Sequence, residues 1–333
     1  MLSAIIGLAV SLIIILISCD FFTNGIEWLG KKLNLGEGVV GSIFSAVGTC
    51  LPETIIPVIA ILFSKGLKDN EDIGIGAILG APFMLSTLAF FVTGLSVLIF
   101  WKRRKTGMKM SANNKVLGRD LGFFILVYIL GVGVSFVDLH IVKIIVAFFL
   151  LACYVFYIYR TVKCDNACEG DIARLYIARL LRTNPYLIYI CFQIFIALTG
   201  ILVGAQLFVR NLNDVSALFG VPALILSLII TPIATELPEK FNSILWISRK
   251  KDTLALGNVS GAMVFQSCIP VSIGILATPW KLDRITLVSA VIAVLSAGFT
   301  FLWIKTRKNL NPIPLLAGGV FYIIFILYLI YVK

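Results

Sequence analysis

Charge and histidine are what this sequence has least of. Charged residues fill 14 % of its 333 positions, and histidine occurs once, as His140. A soluble domain carries about a quarter charged residues. One histidine cannot build a histidine metal cluster. No long apolar run holds an aspartate at its centre, which removes the paired intramembrane aspartates of an aspartyl protease. Cysteine is present seven times, but Cys164 and Cys168 share one polar loop and no second pair accompanies them. A structural zinc site is therefore not expected, and cysteines in apolar runs behave as small hydrophobes.

Apolar residues are what remain. They make up 59 % of the chain, and the mean hydropathy is +1.02, the composition of a polytopic membrane protein. Windows of about 20 apolar residues give ten candidate spans, at 2–28, 38–63, 73–100, 118–136, 139–159, 185–209, 217–247, 254–278, 284–304 and 313–332. Met1 to Ser18 lacks a basic leading region and reads as part of the first span, not as a cleaved signal.

The net charge of +11 does not point to nucleic acid, because the basic residues sit in short loops between spans. Twenty of them, including Lys102, Arg103, Arg104 and Lys105, follow odd-numbered spans, and seven lie on the other side. The positive-inside rule then puts the odd-side loops in the cytoplasm and both termini outside a cell membrane. In this reading the Lys102–Lys105 cluster is a topological anchor.

Two stretches inside the apolar runs repeat each other. Gly48-Thr49-Cys50-Leu51-Pro52-Glu53 and Ala234-Thr235-Glu236-Leu237-Pro238-Glu239 share Thr-x-Leu-Pro-Glu at an offset of 186. A carboxylate in hydrocarbon is costly unless it is used. Proline removes a backbone N–H and breaks the helix locally, freeing carbonyls near Thr49 and Thr235. The same halves align again where Gly76-Ala77-Ile78-Leu79-Gly80 meets Gly257-Asn258-Val259-Ser260-Gly261. Glycines four apart on a helix admit a close neighbour.

Folding the chain at the polar stretch 161–184 gives halves of five spans each, 1–160 and 185–333. Five is odd, so the second half enters from the opposite side, giving inverted repeats with binding sites near the midplane. Glu53, Glu236 and Glu239 are the acids placed deep within spans. Asp252 and four other acids fall at span ends, where water reaches them. Two carboxylates and freed carbonyls suit a hard divalent cation such as calcium. Glu236 and Lys240 are spaced four apart in the order that favours an intrahelical ion pair. Three acids and one base then leave two negative charges, a match for one divalent ion; alternatively Glu236 carries a proton.

With these residues in view, the chain resembles the calcium/cation antiporter superfamily, and within it the prokaryotic sodium/calcium exchangers. Those proteins have ten helices in two inverted repeats, each with Gly-Thr-Ser-x-Pro-Glu followed by a Gly-Asn-x-x-Gly-Ser-Asn-like motif. The resemblance implies that Glu53 and Glu239 bind calcium through side chains and Thr49 and Thr235 through carbonyls. It also implies that the counter-ion is bound at positions held here by Cys50, Glu236, Asn258 and Gln266. Departures concentrate there: the motif serine is Cys50 or Glu236, and Ala77, Ala81, Leu85 and Ala262 replace oxygen-bearing residues. The expected activity is antiport of Ca²⁺, or a related divalent cation, against Na⁺ or H⁺, with no bound cofactor. A uniporter or cation sensor that kept the central site is the alternative.

Overall fold

The structure, a computed structural model, describes residues 2–32, 50–62, 68–104, 107–164, 174–248, 250, 252–307 and 310–332. Among these residues the fold is helical throughout. Thirteen α-helices follow in order: α1 Leu2–Lys32, α2 Leu51–Leu62, α3 Lys68–Met84, α4 Phe90–Phe100, α5 Asn114–Gly133, α6 His140–Cys164 and α7 Tyr176–Leu180. They continue with α8 Leu187–Phe219, α9 Ala223–Thr235, α10 Leu237–Ser248, α11 Asp252–Ala277, α12 Arg284–Arg307 and α13 Pro312–Val332. Eight helical segments are long and apolar enough to cross a membrane, while Glu53–Leu62 and Ala223–Ile233 are apolar but shorter. Helices satisfy their own backbone hydrogen bonds, which is why apolar runs of this length adopt them in lipid.

Most of the expected spans correspond to one helix. The second span is described only from Cys50 onward, so its first half, with Thr49, lies outside the described residues. The sixth was expected to end at 209, but α8 continues to Phe219. Its last turns are polar rather than broken, and Asn213 Nδ2 donates to Asn70 Oδ1 at 2.6 Å. The helix stops at Gly220, whose φ of 59° lies in the left-handed region that a glycine accepts without strain. The seventh span, read as 217–247, is two helices, α9 and α10, parted at Glu236.

Helices α3 and α4 form one rod joined by a π-helical turn, Leu85–Ala89. Pro82, one turn earlier, has no N–H to donate. Hydroxyls take up carbonyls around the turn: Ser86 Oγ donates to Pro82 O at 2.8 Å, Thr87 Oγ1 to Phe83 O at 2.5 Å and Ser296 Oγ to Ser86 O at 2.6 Å.

Two close helix pairs organise the packing. α1 lies along α8, where Gly200 and Gly204 leave room for Ser18 and Ile15. α3 lies along α9: a Cβ on Gly76 would stand 2.6 Å from Leu224 O, and one on Gly80 2.4 Å from Leu228 O. Ser227 Oγ, on α9, donates to Ile73 O at 2.6 Å across this contact. Among the described residues the equivalent pair Gly257 and Gly261 on α11 meets no such backbone; a Cβ on Gly261 would find Tyr157 Oη, at 3.9 Å. α11 is the most enclosed of the long helices and α1 the least.

Two readings of charged residues need correction. Asp252 was placed at a span end within reach of water, yet it is buried. Arg104 was counted as a topological anchor, yet it is buried against Asp252, with Nη1 donating to Oδ1 at 2.7 Å and Nη2 to Oδ2 at 2.5 Å. Arg104 also donates to Ile247 O, and Asp252 accepts the Ser111 N–H at 2.7 Å. The bidentate fit is what lets the two charges leave water together.

The polar stretch 161–184 contains α7, which is docked on α1 and α8. Its N-terminal N–H groups are taken up by Asn24 Oδ1, from Tyr176 N at 3.1 Å, and by Gln193 Oε1, from Ile177 N at 3.0 Å. The buried Gln193 donates in turn to Phe21 O and Asn24 Oδ1.

Candidate cation site at paired helix breaks

The two Leu-Pro-Glu stretches build the same local structure. α2 and α10 each start on the leucine, at Leu51 and Leu237, and each runs for 12 residues. Cys50 and Glu236 occupy the turn just before, at the repeat offset of 186. Proline sits at the second helical position, where its missing N–H would be unpaired anyway, so it starts the new helix rather than kinking an existing one. The glutamates Glu53 and Glu239 therefore stand in the first turn of their helices. Unpaired N–H groups and the positive end of the helix dipole favour negative charge there.

Glu53 is 4 % exposed, and neither carboxylate oxygen has a hydrogen-bond partner among the described residues. It lies beside Thr235 and within electrostatic reach of Lys240. Glu239 belongs to α10, and its side chain lies outside the described residues. Thr235 is the last residue of α9; its buried hydroxyl donates to Thr231 O at 3.0 Å. Thr49 lies outside the described residues.

At the second break Glu236 has φ −85° and ψ 6°, and its N–H donates to Pro232 O at 3.0 Å. The Lys240 Nζ stands 3.2 Å from Glu236 Oε2, with both side chains buried. The contact is an ion pair between residues four apart. Glu236 also feels the Glu53 charge. At the first break Cys50 is buried, and its carbonyl accepts from Thr54 Oγ1 at 2.9 Å.

Gln266 is buried on α11 with Oε1 unpartnered, and Asn258, half-buried on the same helix, has Nδ2 unpartnered among the described residues. On α3 the corresponding residues are carbon only: Ala77, Ala81 and, in the π turn, Leu85, all buried. No group of three or more His, Cys, Asp or Glu side chains forms a metal-holding cluster among the described residues, and the Glu239 side chain is not among those. A polar cage here needs backbone carbonyls as well as carboxylates.

One buried acid went unmarked in the sequence. Asp120, on α5, accepts from Ser260 Oγ at 2.8 Å and from Arg119 Nε at 3.0 Å. It stands two residues inside the expected span 118–136, where an Arg-Asp pair reads as loop charge. No sequence signal marked it, because its partner Ser260 lies 140 positions away.

Comparison with known proteins follows the same lines. The putative antiporter CaxA of Alkalimonas amylolytica is 25 % identical over 284 residues, 85 % of this chain and 83 % of the relative. The inner membrane protein YrbG of Escherichia coli is 24 % identical over 316 residues, 94 % of this chain and 91 % of the relative. The crystal structure of the H⁺/Ca²⁺ exchanger CAX covers 98 % of this chain and 82 % of its own, with TM-score 0.76 at 14 % identity. The sodium-calcium exchanger NCX_Mj covers 98 % of both chains, with TM-score 0.59 at 21 % identity. The model of the family described as sodium/calcium exchanger protein matches residues 3–163 and 189–333, so this chain is a member of that family.

Proposed function

We propose that this chain is a secondary antiporter that exchanges Ca²⁺, or a related divalent cation, for Na⁺ or H⁺ by alternating access. The observation that carries the reading is Glu53: a buried carboxylate in the first turn of an apolar helix, with no cation side chain bonded to either oxygen among the described residues. Leaving a buried charge unpaired costs several kcal/mol, roughly, unless a cation compensates it. In this reading Glu53 and Glu239 bind the divalent ion through side chains, and Thr49 and Thr235 through carbonyls. Cys50, Glu236, Asn258 and Gln266 line the counter-ion positions.

The architecture proposed for this activity is ten membrane segments in two inverted repeats, 1–160 and 185–333, joined by a cytoplasmic linker at 161–184. The matching starts and lengths of α2 and α10 support it. So do the likenesses to an H⁺/Ca²⁺ exchanger and a sodium-calcium exchanger. The excess of basic residues in odd-side loops supports placing both termini outside the cell membrane.

A second reading, a uniporter or sensor, is favoured by Ala77, Ala81 and Leu85, which put buried carbon where one set of monovalent ligands would lie. Uptake of ⁴⁵Ca²⁺ into proteoliposomes separates the two. Antiport predicts uptake driven by an outward Na⁺ or H⁺ gradient and abolished by Glu53→Gln and Glu239→Gln. Uptake indifferent to both gradients would favour the uniporter, and calcium binding without uptake the sensor.

A further inference from the structure

The two halves differ in charge at one pair of positions around the Leu-Pro-Glu motif. At the offset of 186, Glu236 corresponds to Cys50 and Lys240 to Thr54. The first half has no charge at either place, and Thr54 spends its hydroxyl on the Cys50 carbonyl. The second half carries an acid and a base together, 3.2 Å apart and both buried. The pair adds no net charge, so the two-carboxylate count of the proposed divalent site is unchanged.

This ion pair differs in kind from the other buried one. Arg104 and Asp252 are saturated: the guanidinium also donates to the carbonyls of Gly107, Lys109 and Ile247, and the carboxylate accepts the Ser111 N–H. Such a pair is a structural clamp. Glu236 and Lys240 have no partner beyond each other for the carboxylate oxygens or for Nζ among the described residues. Their coordination is open, at a helix break, next to the unclaimed carboxylate of Glu53, which the Lys240 charge reaches. An ammonium that meets one carboxylate and no other bonded partner among the described residues is arranged as an ion is, not as a clamp.

We propose that Lys240 is a tethered monovalent cation. Its ammonium fills the place that a free monovalent ion would take beside Glu236, so the chain holds its divalent cation with no monovalent ion bound alongside. This rests on the divalent-cation reading of the site and adds to it the class of ion that is shut out.

The test uses the full chain in detergent, with thermal unfolding and ²²Na⁺ binding as readouts and saturating Ca²⁺ throughout. Ionic strength is fixed with choline, a quaternary ammonium with no N–H to donate and far bulkier than the ions tested. The wild type is expected to unfold at the same temperature in choline, Na⁺, K⁺ or methylammonium, and to retain no ²²Na⁺. Lys240→Ala leaves a buried carboxylate uncompensated. It is expected to unfold at a lower temperature in choline and to recover saturably with Na⁺, K⁺ or methylammonium, as a ligand-stabilised protein does, retaining about one ²²Na⁺. Glu236→Gln/Lys240→Met removes the pair as a neutral unit and is expected to be indifferent to these ions again.

Stabilisation of the wild type by Ca²⁺, lost in Glu53→Gln, checks the site reading separately. If that control holds and Lys240→Ala responds to no small cation, the tethered-ion inference is overturned alone. Sensitivity to Na⁺ in the Ca²⁺-saturated wild type would also overturn it. If Ca²⁺ does not stabilise the wild type, the site reading falls and takes the inference with it.

Discussion

Arg104 and Asp252, 148 positions apart, meet through two parallel N–H···O contacts, and this clamp ties the loop after α4 to the hairpin between α10 and α11. Ile247 O, near the end of α10, is held by the same guanidinium. The clamp therefore fixes the far end of the helix that begins at the Glu236 break. It is a positional device for the candidate site, although it lies a full helix away.

The energetic expectation is asymmetric. Arg104→Met strands a buried carboxylate and should cost about 3–5 kcal/mol, as losing one partner of a buried ion pair does. Arg104→Met with Asp252→Leu leaves no charge behind and should cost much less. Equilibrium unfolding in mixed detergent micelles measures both. Equal losses in the single and the double variant would show that the guanidinium's bonds to carbonyls, not the ion pair, hold this corner.

The contact of α3 with α9 gives a prediction with opposite signs at two glycines. Gly80→Ala drives a Cβ to 2.4 Å from the Leu228 carbonyl, a backbone atom that cannot turn away. The helices must separate, at a cost of about 1–3 kcal/mol. Gly257→Ala, on α11, meets nothing within 4 Å among the described residues, so replacing glycine within a helix should be neutral or stabilising by up to about 1 kcal/mol. The same unfolding assay reads both.

These cases mark how far the sequence could be read. The break at Glu236 and the helix start after Cys50 were legible because proline acts on its own backbone, whatever surrounds it. The Glu236–Lys240 pair was legible as a spacing, since residues four apart share a helix face. Gly76 and Gly80 signalled a close helix, whereas Gly257 and Gly261, identical in pattern, meet none among the described residues; spacing says that a helix can approach, not that one does. Arg104 with Asp252 and Asp120 with Ser260 were illegible for one reason. Each joins residues more than a hundred positions apart, and a charge at a span end looks solvated until its partner from another helix is in place. The length of α8 was missed because hydropathy marks where lipid ends, not where a helix ends.

The docking of α7 offers the last prediction. Gln193 spends both ends of its amide on it: Oε1 accepts the Ile177 N–H, and Nε2 donates to Phe21 O and Asn24 Oδ1. Asn24 Oδ1 takes the Tyr176 N–H in turn. Gln193→Leu keeps the volume but leaves the Ile177 N–H and the Phe21 carbonyl without these partners, at about 1–3 kcal/mol for each group stranded. That loss falls on local opening of α7 rather than on the membrane helices, which keep their own backbone bonds. Trypsin cleavage at Arg179 and Arg182 should therefore rise by roughly tenfold or more, since protease attack follows the population of the open form. Global unfolding should move little. Cleavage unchanged in Gln193→Leu would mean that the Phe21–Tyr176 ring contact, at 4.9 Å, is sufficient to hold the segment.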